Sequence, residues 1–203
     1  MAIGTAYNSG ARFDAAAGVA NSPVVSGADE AAGAAIAAAV EAFEGVGMHL
    51  PELAIFVHDS HDGCNGHPGV YSKGGDMNRI DICWVHPFII RHELAHAWEH
   101  FNVDDATRRE FLELTGMAAW NPGTAHHTRG IERAANIIAR GLESRPIQSM
   151  HRNRHAEELA LFELLTGLAS PRISHWNDER PVGGPRRAVV LAPSEGVSRS
   201  IVE

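Results

Sequence analysis

The spacing of apolar and polar residues changes several times along the chain, and each change predicts an element. Residues 1 to about 27 are small and polar with no clear period, the pattern of a weakly ordered arm. Asp29 or Ser26 can cap the alanine-rich helix that follows to about Phe43, and Gly45-Val46-Gly47 stops it. Leu53–Val57 is a short apolar run of strand type. A loop rich in Gly, His and Asp, from His58 to His67, leads to two more strands, Gly69–Tyr71 and Arg79–Trp84, separated by a turn around Gly74-Gly75. In the last strand Ile80, Ile82 and Trp84 alternate with Asp81 and Cys83, so one face is expected on the core.

The period then becomes helical. Pro87 stands where a helix can begin, because its missing N–H would have no partner in the first turn. Ile90, Leu94, Ala97, Trp98 and Phe101 form a continuous apolar stripe, with Trp98 read as core. Asp104 or Asp105 can cap a helix over Ala106–Leu114, which Gly116 ends. A loop holding Trp120, expected to pack beneath its own chain, precedes an amphipathic helix over Ile131–Leu142. A last helix covers about Arg154–Leu168 before Pro171. Beyond Trp176 the Gly, Pro, Arg and Ser content suggests a largely disordered tail with a short strand at Ala188–Leu191. No internal repeat is visible. Helix, strands and further helices in this order predict an α+β fold, a small twisted sheet packed on helices. Its domain would span 28–170, between an arm at 1–27 and a tail at 171–203.

Composition narrows the function classes. At 203 residues, one domain with a real core fits and two would be cramped. A net charge of −8 and scattered arginines argue against a nucleic-acid partner. No apolar stretch approaches the roughly 20 residues that span a bilayer, so no membrane partner is expected. Ala31–Val40 follows Asp29 and Glu30, where a signal peptide would have a basic region. A cytoplasmic location is therefore the expectation. Lys73 is the only lysine, which reads as the coding bias of a GC-rich genome; a phage-encoded origin fits that bias.

Cys64 and Cys83 are too few for a disulfide framework. They can form a single bridge, or remain as reduced, partly buried thiols in a cytoplasm. They lack the paired spacing of zinc-binding cysteines.

The chemistry concentrates at His92-Glu93-Leu94-Ala95-His96. On a helix the two imidazoles project from one face, one turn apart, and can share one zinc ion at about 2 Å each. Glu93 is rotated by about 100° from His92, beside the ion but outside its ligand set. From there it can take a proton from zinc-bound water as general base. His100 continues the series, but it lies about 12 Å along the axis from His92, too far to share a tetrahedral ion. A Gly at 99 and a His at 102 would extend the motif, and the chain has Glu99 and Asn102 instead. Glu132 is the preferred third ligand, because it lies beside the apolar stripe of helix 131–142. His126, His127, Asp104 and Glu143 are its competitors, and Asn136, one turn on, can orient a bound histidine. The loop residues His58, His61, Asp62 and His67 are a second, weaker metal cluster, equally explained as solvated loop side chains.

With the strands before the motif and Glu132 after it, residues 30–142 resemble the zincin metallopeptidases, and within them the gluzincin type with a downstream glutamate ligand. Those proteins place an acidic residue after that ligand, whereas this chain has Asn136. The resemblance implies a minimal zincin-like core, a Zn2+ cofactor and hydrolysis of peptide bonds in a peptide or protein substrate. It also implies a substrate strand paired with a sheet edge, here Arg79–Trp84 or Gly69–Tyr71. A Tyr, His or Arg would stabilise the oxyanion, with Tyr71, His126 and His127 as candidates. The rival reading is a non-catalytic zinc-stabilised binding module or phage structural module.

Overall fold

A computed structural model describes residues 22–74, 77–121, 123, 129–143 and 152–171 of the chain. Among these the fold is mixed α+β, with a four-stranded sheet and five α-helices. In chain order they are β1 (Val24–Ser26), α1 (Glu30–Glu44), β2 (Leu53–Val57), β3 (Gly69–Lys73), β4 (Asn78–Ile82), α2 (Pro87–Asn102), α3 (Asp105–Thr115), α4 (Gly130–Gly141) and α5 (Arg152–Thr166). The sheet order is β1-β2-β4-β3. β1, β2 and β4 run parallel, and β3 pairs antiparallel with β4 at the edge.

Leu53 and Ile55 of β2 and Ile80 and Ile82 of β4 point to one face, because side chains alternate along a strand. Ile55 lies opposite Ile80 and Val57 opposite Ile82. They share one core with Ile36 and Phe43 of α1 and Ile90 and Leu94 of α2. The opposite face carries Phe56, Arg79 and Asp81, with the Arg79 guanidinium 4.3 Å above the Phe56 ring. Asp81 is buried there, accepting from Arg79 Nε at 2.7 Å and pairing with His58 Nε2 at 2.6 Å.

The expected elements appear within a residue or two, with three corrections, and the structure decides between the two states open to the cysteines. Residues 24–26 lie in the stretch expected to be a weakly ordered arm, yet they form β1, whose three exposed residues are too few to show a period. β4 ends at Ile82, so Trp84 leaves the sheet and is 54% exposed. Phe101 closes the predicted stripe of α2 but is 53% exposed, because α2 leaves the core in its last turn. Cys64 and Cys83 form a disulfide that ties the loop after β2 to the end of β4. Trp98 is in the core as expected, and Trp120 packs edge-on against Phe111. No helix among the described residues is long and apolar enough to cross a membrane. His126, His127, the tail from 172 onward and the predicted strand at 188–191 lie outside the described residues.

Candidate metal centre

α2 is unusual in being buried all round over its middle: every side chain from His92 to Glu99 is covered. A helix so enclosed must pair its polar groups internally. His86 caps it and Pro87 opens it, placing His92 and His96 one turn apart on the face toward α4. Two interactions hold α4 in place. Arg91 of α2 donates to Ala139 O at 3.2 Å and to Glu143 at 2.9 Å, and the first amides of α4 donate to Ala119 O and Trp120 O. Glu132, in the first turn of α4, is thereby set against the two histidines.

His92 Nε2 and His96 Nε2 are 3.1 Å apart, and Glu132 Oε2 lies 3.3 Å and 3.2 Å from them. This near-equilateral triangle matches one face of a tetrahedron around an ion bonded at about 2.0–2.1 Å, whose edges measure about 3.3 Å. The group His92, His96 and Glu132 is buried and can hold a metal ion. Its charge balance points the same way. Glu93, Glu99 and Glu132 are all buried around two imidazoles, and a dication offsets that excess of negative charge.

Glu99 is the residue of this buried group that sequence reasoning misses. Its Oε1 accepts from His96 Nδ1 at 2.7 Å, which leaves the Nε2 lone pair of a neutral His96 facing Glu132 and His92. In the sequence, position 99 stands out only as the place where an extended motif needs glycine. The signal was there in the spacing, because 92, 96 and 99 fall on one helical face. Asn136, proposed for this role, makes no side-chain hydrogen bond among the described residues. Burial pushes the Glu99 carboxyl up to about 7, against the pull of His96. Burial opposes charge on His96, but its bonds to Glu132 and Glu99 outweigh that and hold its pKa above the usual imidazole range.

Glu93 faces the edge strand. Its side chain lies so close to Gly69 that a Cβ there would come within 2.8 Å of Glu93 Cγ, and the nearby backbone N–H of Tyr71 favours its charged form. Burial raises the Glu93 pKa above the ordinary carboxylate value, outweighing the attraction of His92 and His96. Among the described residues β3 is the edge strand and β4 is interior, which decides between the two edges considered above.

A cleft of about 540 Å³ opens over the triad, walled by β3 on one side and by the start of α4 on the other. Tyr71 lines it, its hydroxyl donating to Asn78 Oδ1 at 3.2 Å, and His100 lines it with its ring against Tyr71. The other ligand candidates are engaged elsewhere: Asp104 caps α3 and Glu143 pairs with Arg91. The loop cluster of His58, His61, Asp62 and His67 does not converge, and among the described residues His92, His96 and Glu132 form the one group with metal-ligand spacing. Comparison with protein-family models, curated proteins and solved structures gives no match to this chain.

Proposed function

We propose that the chain is a zinc-dependent metallopeptidase of the zincin type, with a gluzincin-like ligand set of His92, His96 and Glu132. The observation that carries this reading is the triangle of donor atoms with Glu93 beside it, inside a cleft bounded by a sheet edge. Two imidazoles and one carboxylate suit zinc, and His92, His96 and Glu132 would hold it with the mixed ligand set of a catalytic site. Zinc bound there supplies a Lewis acid and brings the pKa of water toward about 7.

The chain's own residues do the remaining work. Glu93 accepts the proton of the attacking water and delivers it to the leaving amine, and its raised pKa suits both tasks better than an ordinary carboxylate. Gly69, which has no Cβ, leaves room for that side chain against the edge strand. Glu99 orients His96 and strengthens it as a ligand. The free edge of β3 offers backbone donors and acceptors that can align an extended peptide along the cleft. The Cys64–Cys83 bridge supports an oxidising compartment as the place of work, in place of the cytoplasm expected from composition.

The test is metal analysis joined to turnover. The purified chain should hold one zinc and cleave a pool of internally quenched peptides. Glu93→Gln should keep the zinc and lose at least about 100-fold in rate. Undiminished cleavage by that variant refutes the catalytic assignment.

A further inference from the structure

β3 runs alongside α2, and their side chains grade from acidic to basic along the cleft. At one end Gly69 touches Glu93. Two residues on, Tyr71 meets the His100 ring, 6.1 Å between centroids. Two further on stands Lys73, exposed, on the same face of the strand and lining the same cleft. Arg129 lines the opposite wall, at the start of α4. Lys73 forms no ion pair with an acidic group among the described residues, and it acts on His100, whose pKa is lowered first by burial and then by Lys73 and Arg108. Among the described residues, the acidic ones lining the cleft are Glu93 and Glu132, both at its floor. A chain with a net charge of −8 thus places its only lysine where a substrate would lie.

We infer that the cleft selects peptides carrying an acidic side chain on the N-terminal side of the bond to be cut, held by Lys73. This rests on the peptidase reading above. The direction is that of a peptide pairing antiparallel to β3, the sense in which β3 already pairs with β4. Cys83 N–H bonds Pro68 O, so by antiparallel alternation Val70 and Ser72 turn their backbone groups to β4, and Gly69, Tyr71 and Lys73 turn theirs to the outer edge of β3. A peptide pairing antiparallel to β3 has its N-terminal part beside Lys73 and its C-terminal part beside Gly69. Four residues of strand separate these by about 13 Å, so Lys73 faces a substrate residue two to four positions before the scissile bond.

The experiment uses the zinc-loaded full chain carrying Glu93→Gln, which binds without cutting. Two fluorescein-labelled octapeptides differ only in three consecutive residues before the central bond, all Glu in one and all Lys in the other. Fluorescence anisotropy at low salt should show the Glu peptide bound about tenfold more tightly. Adding Lys73→Glu should reverse the order, while Lys73→Gln, the milder change at an exposed position, should bring the two affinities together. Equal affinities, absence of binding, or a preference that survives Lys73→Glu would each overturn the inference. Turnover by the unsubstituted chain keeps the two proposals apart. A protein that discriminates charge but cuts nothing fails as a peptidase and retains the selective cleft, whereas one that cuts both peptides equally does the reverse.

Discussion

Glu99 Oε1 lies 2.7 Å from His96 Nδ1, with both side chains buried, so the histidine that faces Glu132 is held from behind by a second carboxylate. A partner of this kind fixes the ring and its tautomer, and losing it costs about 10- to 100-fold in metal affinity. Glu99→Gln should therefore weaken zinc binding by that factor in competition with a chromophoric chelator. Because the amide keeps the shape and removes the charge, the metal-free protein should remain folded. Unchanged affinity in a folded Glu99→Gln protein would show that His96 needs no such support.

Gly69 and Glu93 make a second testable pair. A Cβ at 69 would sit 2.8 Å from Glu93 Cγ and 2.9 Å from its Oε1, closer than atoms pack. The far end of Glu93 can swing aside, so the fold should tolerate Gly69→Ala. What moves is the Glu93 carboxylate. We expect a folded protein with full zinc content and peptide turnover reduced by at least about tenfold, close to 1.4 kcal/mol of barrier. Gly69→Ala with full turnover would mean that the position of Glu93 is not held by this contact.

Most of the framework was legible because its signals are local. The cap at Asp29, Pro87 at the start of α2 and Gly116 after α3 mark helix ends by their own chemistry, and the alternation of Ile80 and Ile82 marks β4. His92, Glu93 and His96 were legible for the same reason, since a spacing within one helix is written in the sequence. Glu132 needed an argument about clefts between helices, and the structure brings it to the two histidines. Glu99 was passed over because only the packing around α2 reveals that position 99 is buried. β1 carried no period, and its identity comes from pairing with β2, thirty residues away. Trp84 and Phe101 were misplaced because a pattern does not say where an element leaves the core.

The Cys64–Cys83 bridge closes a loop with a sequence separation of 19, and it anchors the loop that leads into β3. A loop of that size stabilises a fold by about 3 kcal/mol, chiefly by restricting the unfolded chain. The Cys64→Ser, Cys83→Ser double variant should lose about that much stability in urea unfolding followed by circular dichroism. Its zinc content should persist, because neither cysteine belongs to α2 or α4. A loss below about 1 kcal/mol would show that the bridge contributes little to holding this loop.

The last prediction concerns protons. In the metal-free protein the bonds to Glu132 and Glu99 hold the His96 pKa above its ordinary value of 6.5. A raised pKa means that protonated His96 contributes stability that is fully present below 6.5 and fades as pH rises through the elevated folded value. A metal needs the bare Nε2 lone pair, so uptake must expel that proton, from a cluster in which His96 and Glu99 titrate together. Calorimetric zinc titration at pH 7 in buffers of different ionisation enthalpy should therefore report release of about one proton per ion. Affinity should fall about tenfold for each unit by which pH drops below the raised value. With Glu99→Gln one of the two partners that raise this pKa is gone, and the number released at pH 7 should shrink. Heat independent of buffer would mean that His96 is already neutral at pH 7, and that the carboxylates around it do not hold the proton assigned to them here.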